Sequence, residues 1–151
     1  MLSLPFSERI LFMMLMLTCA FSSVLAAAQL IRPADKFRGL LVALTALAVS
    51  LASVILIFRA AAIKAIPLTT LFDSVLVLSI AFGLTFLFLS TAIRQVWFSS
   101  VMVWSVSLIV FLSAFTARPS AEMHQAVKTP WVVFHSLSMV LSGASIAFSA
   151  C

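Results

Sequence analysis

Apolar residues run along this chain in stretches broken by charges and prolines, and five of these stretches approach the ~20 residues a helix needs to cross ~30 Å of hydrocarbon. They are Ile10 to Ile31, Gly39 to Phe58, Leu68 to Ala92, Val96 to Ala117 and Pro130 to Cys151. Backbone groups in lipid must satisfy their own hydrogen bonds, so these runs predict helices. Short connections make consecutive helices antiparallel. The pattern therefore predicts an all-α integral membrane protein, about five transmembrane helices in one antiparallel bundle, forming a single membrane domain over residues 1–151.

Two of the predicted starts carry their own punctuation. Thr129 followed by Pro130 supplies an N-cap and a first-turn proline, and Trp131 then falls at interfacial depth. Before the third helix, Pro67 precedes Thr69 and Thr70, and Thr70 with Asp73 forms a capping-box-like pair whose carboxylate also suits the helix dipole. The first run was weighed against a signal peptide, because Val24 to Ala28 offers small residues after an apolar stretch. A signal peptide carries its positive charge ahead of that stretch. Here Glu8 offsets Arg9, and the basic cluster Arg32, Lys36 and Arg38 follows, so the reading is an uncleaved helix with its N-terminus outside.

Composition agrees with this picture. Apolar residues make up 64% of the 151 residues and charged ones only 9%, against about 25% in soluble domains. The net charge of +5 is spread between the apolar runs, which suits anchoring beside lipid headgroups and not a nucleic-acid surface. Arg32, Lys36, Arg38 and Arg94 fall on one side, and Arg9, Arg59, Lys64, Arg118 and Lys128 on the other. The density of the first cluster, close to the first helix, places that side inside. Cys19 and Cys151 are too isolated for a disulfide framework or thiolate metal site. The fifth run reaches Cys151 with no polar anchor, so the expectation is either a chain that stops just as it crosses the membrane or, as the resemblance described below implies, the front part of a longer architecture.

Chemistry has few candidates. His135 lies about a turn and a half into the fifth run, and an ionisable residue inside a span is a functional candidate by default. Ser138, Ser142, Ser145 and Ser149 share its helical stripe, with Gly143 and Ala144 beside it, a face expected to turn inward. The residues leave two readings of that stripe open, ordinary helix packing and close approach of a flat ligand. They leave His135 equally open between an interfacial hydrogen bond, axial heme ligation and proton transfer. His124, in the polar Arg118 to Lys128 segment, reads as a solvated side chain.

A second cluster comprises Arg59, Lys64, Pro67, Thr70 and Asp73. It reads either as a cationic pocket edge, with Arg59 pairing an acidic ligand group, or as headgroup anchoring plus a helix cap. No catalytic set is present: no H-E-x-x-H, no Cys-x-x-Cys, no phosphate-binding glycine loop and no intramembrane carboxylate pair.

Two segments resemble the cytochrome c assembly family of heme-handling membrane proteins, the CcsA, ResC and HemX-like proteins. In Phe58 to Leu78, FRAAAIKAIPLTTLFDSVLVL, Arg59, Pro67, Leu68, Leu71 and Ser74 match the family pattern of a helix-ending Arg followed by Pro-Leu-Ser-Asn-Leu-Tyr-Glu-Ser. Thr69, Thr70, Phe72 and Asp73 stand where it has Ser, Asn, Tyr and Glu. In Thr129 to Ser149, TPWVVFHSLSMVLSGASIAFS, Trp131, His135, Ser142 and Ala144 match the family helix Trp-x-x-x-His-x-x-x-x-x-x-Ser-Tyr-Ala, with Gly143 in place of Tyr.

The resemblance implies heme as cofactor, His135 as an axial ligand to the heme iron and the only metal ligand, and Arg59 as a propionate partner. Thr70 and Asp73 shape the loop, and Trp131 flanks the heme side. It implies presentation of heme at the outer face for attachment to apocytochrome c, alongside a second assembly subunit, in a bacterial inner membrane or equivalent organellar membrane. The family's Trp-Gly-x-x-Trp-x-Trp-Asp signature is not reproduced by Trp97 and Trp104. The chain is accordingly expected not to be catalytic alone, but at most part of a heme-attachment complex. The rival expectations are an accessory subunit of a larger membrane complex and a small oligomeric transporter.

Overall fold

The computed structural model describes residues 6–31, 36–63, 70–92 and 96–116, together with Ser138 and Ser142. Among the described residues there are four helices: α1 (Phe6–Ile31), α2 (Lys36–Ile63), α3 (Leu71–Leu89) and α4 (Val96–Thr116). Each is long and apolar enough to cross a membrane. The fifth expected run, 130–151, lies outside the described residues except for Ser138 and Ser142, both helical.

Two of the helices exceed their expected limits. α1 begins at Phe6, not Ile10, and α2 runs on to Ile63, not Phe58, so that Glu8 and Arg59 fall inside helices. A charge marks the end of a span only where it must reach water. Glu8 and Arg59 neutralise each other inside the bundle, and the helices continue through them. α3 is correspondingly shorter than expected, with Thr70 as its N-cap in extended conformation at φ −114° and ψ 154°.

Each helix buries a stripe that advances by alternating steps of three and four residues. In α1 the stripe is Glu8, Phe12, Leu15, Cys19, Ser22, Ala26 and Gln29; in α2 it is Leu41, Thr45, Ala48, Ala52, Ile55 and Arg59. α3 contributes Phe72, Leu76, Ser79, Gly83, Phe86 and Ser90, and α4 Ser99, Val103, Val106, Val110 and Ser113. A repeat of 3.5 residues keeps one seam facing a partner helix along its whole length, the packing of antiparallel four-helix bundles. The seams fill two apolar clusters, one around Phe12, Ile55, Phe72 and Val110, the other around Ala26, Leu41, Phe86 and Met102. The surface outside them carries large apolar side chains, among them Leu17, Phe88 and Phe115, which suit lipid and would aggregate in water.

α4 is fastened to α1 by side chains that donate to main-chain carbonyls. Ser100 Oγ reaches the Ala26 carbonyl at 3.1 Å, Trp104 Nε1 the Ser23 carbonyl at 3.1 Å, and Ser107 Oγ the Cys19 carbonyl at 3.2 Å. Donors rising along α4 meet acceptors falling along α1, as antiparallel seams require. Hydrogen bonds of this kind between membrane helices average about 0.6 kcal/mol. Converting both Ser100 and Ser107 to alanine is therefore expected to lower stability by about 1 kcal/mol, checked by the thermal unfolding midpoint in detergent. At the end where α2 begins, the Arg38 guanidinium donates to the Ser90 carbonyl and caps the C-terminus of α3.

Candidate functional site

Antiparallel order gathers the start of α1, the end of α2, the start of α3 and the end of α4 at one end of the bundle. Arg59, wholly buried there, donates from Nε to Asp73 Oδ1 at 2.7 Å and from Nη1 to Glu8 Oε2 at 3.0 Å. Its guanidinium also lies 4.9 Å from the centroid of the Phe72 ring, a cation–π contact out of water. Phe72 in turn packs on Phe12 with ring centroids 5.5 Å apart. One cation thus joins three helices, α1 through Glu8, α2 through itself and α3 through Asp73.

Asp73 has a second task. The Thr70 hydroxyl donates to Asp73 Oδ2 at 2.7 Å while accepting from the Asp73 main-chain N–H at 3.2 Å. The Ser74 N–H donates to the Thr70 carbonyl at 3.1 Å and opens the helix. This is the cap expected from the sequence, and it holds the carboxylate in the orientation that Arg59 needs. A guanidinium with a planar fork of donors suits two carboxylates at once, where a lysine would present a single point charge.

Of the residues singled out in the sequence, Arg59, Thr70 and Asp73 come together in this site. Trp131 and His135 lie outside the described residues, as does His124. Ser138 and Ser142 are exposed, with the rest of their stripe outside the described residues, and the Ser142 hydroxyl donates to the Ser138 carbonyl at 2.7 Å. From the sequence alone Glu8 reads only as an offset to Arg9. Its position on the α1 stripe, four residues before Phe12, is the signal that it faces the interior.

On the flank of the bundle, Ser23, Val101, Trp104, Ser105, Ser107, Leu108 and Phe111 line an open, mostly apolar groove between α1 and α4. Among the described residues, no group of three or more His, Cys, Asp or Glu side chains is placed to hold a metal ion. Comparison with protein-family models, curated proteins and solved structures finds no match to this chain.

Proposed function

We propose that this chain is a heme-handling membrane protein of c-type cytochrome assembly. It presents heme at the outer membrane face for attachment to apocytochrome c, with a second assembly subunit as partner. The observation that supports this reading is positional. The Arg59, Thr70 and Asp73 cluster lies at the end of the bundle where α4 finishes, so the chain sets out toward Thr129 and His135 from the same end. The proposal accordingly takes both segments that resemble the heme-handling family to act on one side. The proposal includes a fifth membrane helix over 130–151, the N-terminus outside, and His135 as axial ligand.

Arg59 fits a propionate poorly. It is wholly buried and bound by two carboxylates, so a propionate reaches it only by displacing Glu8 or Asp73. Its role in the proposal is to fix the α2–α3 connection beneath the heme side, with Asp73 and Thr70 completing the brace. Heme, when bound, supplies the vinyl groups that the apocytochrome thiols add to; this chain supplies an imidazole and a rigid end of the bundle.

Absorbance spectra of heme-loaded protein test the reading. His135→Ala is expected to abolish or shift the Soret band relative to the parent chain, while Arg59 and Asp73 remain in place. An unchanged spectrum sinks the axial role. A second reading, an accessory subunit of a larger membrane complex, draws on the sealed charge cluster, which braces helices without needing a ligand. It predicts co-purification with a stable partner and indifference to the His135 replacement.

A further inference from the structure

The end of the bundle opposite the Arg59 cluster poses a different question. Gln29, the last seam residue of α1, is wholly buried, and neither its amide nitrogen nor its amide oxygen has a hydrogen-bond partner. Ser99, on the first turn of α4 and 1% exposed, has an unpartnered hydroxyl. Among the described residues these are the buried side-chain polar atoms without a partner. Most serines and threonines of the bundle return their hydroxyls to a carbonyl three or four residues back, as Ser22, Thr45, Ser79 and Ser113 do. Ser99 departs from that habit.

The two groups occupy one level. The hydrogen bond from Ser100 to the Ala26 carbonyl sets the register between α1 and α4. Gln29 lies three residues beyond Ala26, and Ser99 one residue before Ser100, so in antiparallel helices both are displaced toward the same end. At ~1.5 Å per residue, those displacements are about 4.5 Å and about 1.5 Å, which leaves them within one turn of each other. Both sit on seams that face the bundle axis.

We propose that the bundle axis at this end binds water, held between the Gln29 amide and the Ser99 hydroxyl. Buried water is found where otherwise unsatisfied polar groups converge, and it takes two to four partners. Gln29 supplies two donors and an acceptor, and Ser99 a donor and an acceptor, so the set matches a neutral molecule that both gives and accepts protons. An ion would be served on one side only. The Arg38 guanidinium at this end donates to the Ser90 carbonyl. The bundle is thus hydrated from the side of the basic cluster, dry through its two apolar clusters, and locked by charge at the far end. This inference does not depend on heme.

Thiol reactivity of the full chain in lipid nanodiscs tests it. Cys19→Ala and Cys151→Ala provide the background, into which Ser99→Cys and, one turn deeper on the same seam, Val103→Cys are introduced separately. A thiol reacts as its thiolate, which forms where water reaches it. With a small methanethiosulfonate reagent, the cysteine at 99 is expected to react at least ten times faster than the one at 103; equal rates overturn the proposal. Where the cysteine variants do not fold, Gln29→Met decides. A lowered thermal midpoint supports a lost water bridge, and a raised or unchanged midpoint shows the amide was dry and overturns it.

Discussion

Replacement of Arg59 by methionine is expected to cost the bundle about 3–5 kcal/mol, the penalty of leaving a buried ionic partner without its counter-charge. Methionine keeps much of the side chain's length and apolar volume, so the loss does not come from a cavity. It comes from Glu8 and Asp73, two carboxylates that lose the Arg59 guanidinium at 5% and 0% exposure. The triple variant Glu8→Gln, Arg59→Met, Asp73→Asn removes the charges of all three residues and is expected to recover most of that stability, because a buried ion pair often does little better than neutral groups of similar shape. Thermal midpoints of the single and triple variants, in one detergent, check both halves. A single variant as stable as the parent would show that the cluster does not hold the helices together.

The same replacement separates brace from ligand-binding role. If Arg59 positions the α2–α3 connection, then Arg59→Met alters heme binding only as far as it unfolds this end of the bundle, and the triple variant restores both together. A direct propionate contact predicts otherwise: the triple variant would be folded and still deficient in heme.

Much of this arrangement was legible from residue order. The apolar runs gave all four described helices, and Thr70 with Asp73 announced the cap that the structure contains, though not the bond from the Thr70 hydroxyl to the Asp73 carboxylate. What escaped was the pairing. Reading charges as span limits ended the first two runs short and kept Glu8 beside Arg9, its neighbour in sequence. Neighbours along a helix point about 100° apart, so adjacency says little about who meets whom. The repeat of three and four does say it. Glu8 falls in line with Phe12, Leu15 and Cys19, and Arg59 in line with Ile55, Ala52 and Ala48, so both stripes deliver their charged ends to the interior at the same end of the bundle. The same repeat puts Gln29 inside, where composition alone would have left it at an interface. For the Ser138 and Ser142 stripe the sequence is less informative, since a small polar stripe packs inward or stays outside equally well without a partner specified by shape or charge.

The interface between α2 and α3 leaves no room for a methyl group at Gly83. A Cβ built on Gly83 would stand 2.3 Å from Val49 Cγ2, well inside van der Waals contact, with Thr45 Cγ2 at 3.7 Å. Valine on a helix is held close to one side-chain rotamer, so Val49 cannot turn aside, and the two helices must separate instead. Overpacking of this kind costs about 1–3 kcal/mol. Alanine recovers up to about 1 kcal/mol of helix propensity over glycine, so Gly83→Ala is expected to be a net loss. Adding Val49→Ala removes the obstructing methyls and should stabilise the Gly83→Ala protein by more than it changes the parent, a comparison that cancels the higher helix propensity of alanine over valine. Separation at Gly83 also reaches the charged cluster. Gly83 and Asp73 lie on one helix about 15 Å apart at ~1.5 Å per residue, and Val49 and Arg59 are at the same spacing on α2, so a wedge between the helices strains the Arg59–Asp73 bond, now 2.7 Å. Thermal midpoints of the single and double variants decide it: a Gly83→Ala protein as stable as its parent would show that the helices do not approach this closely.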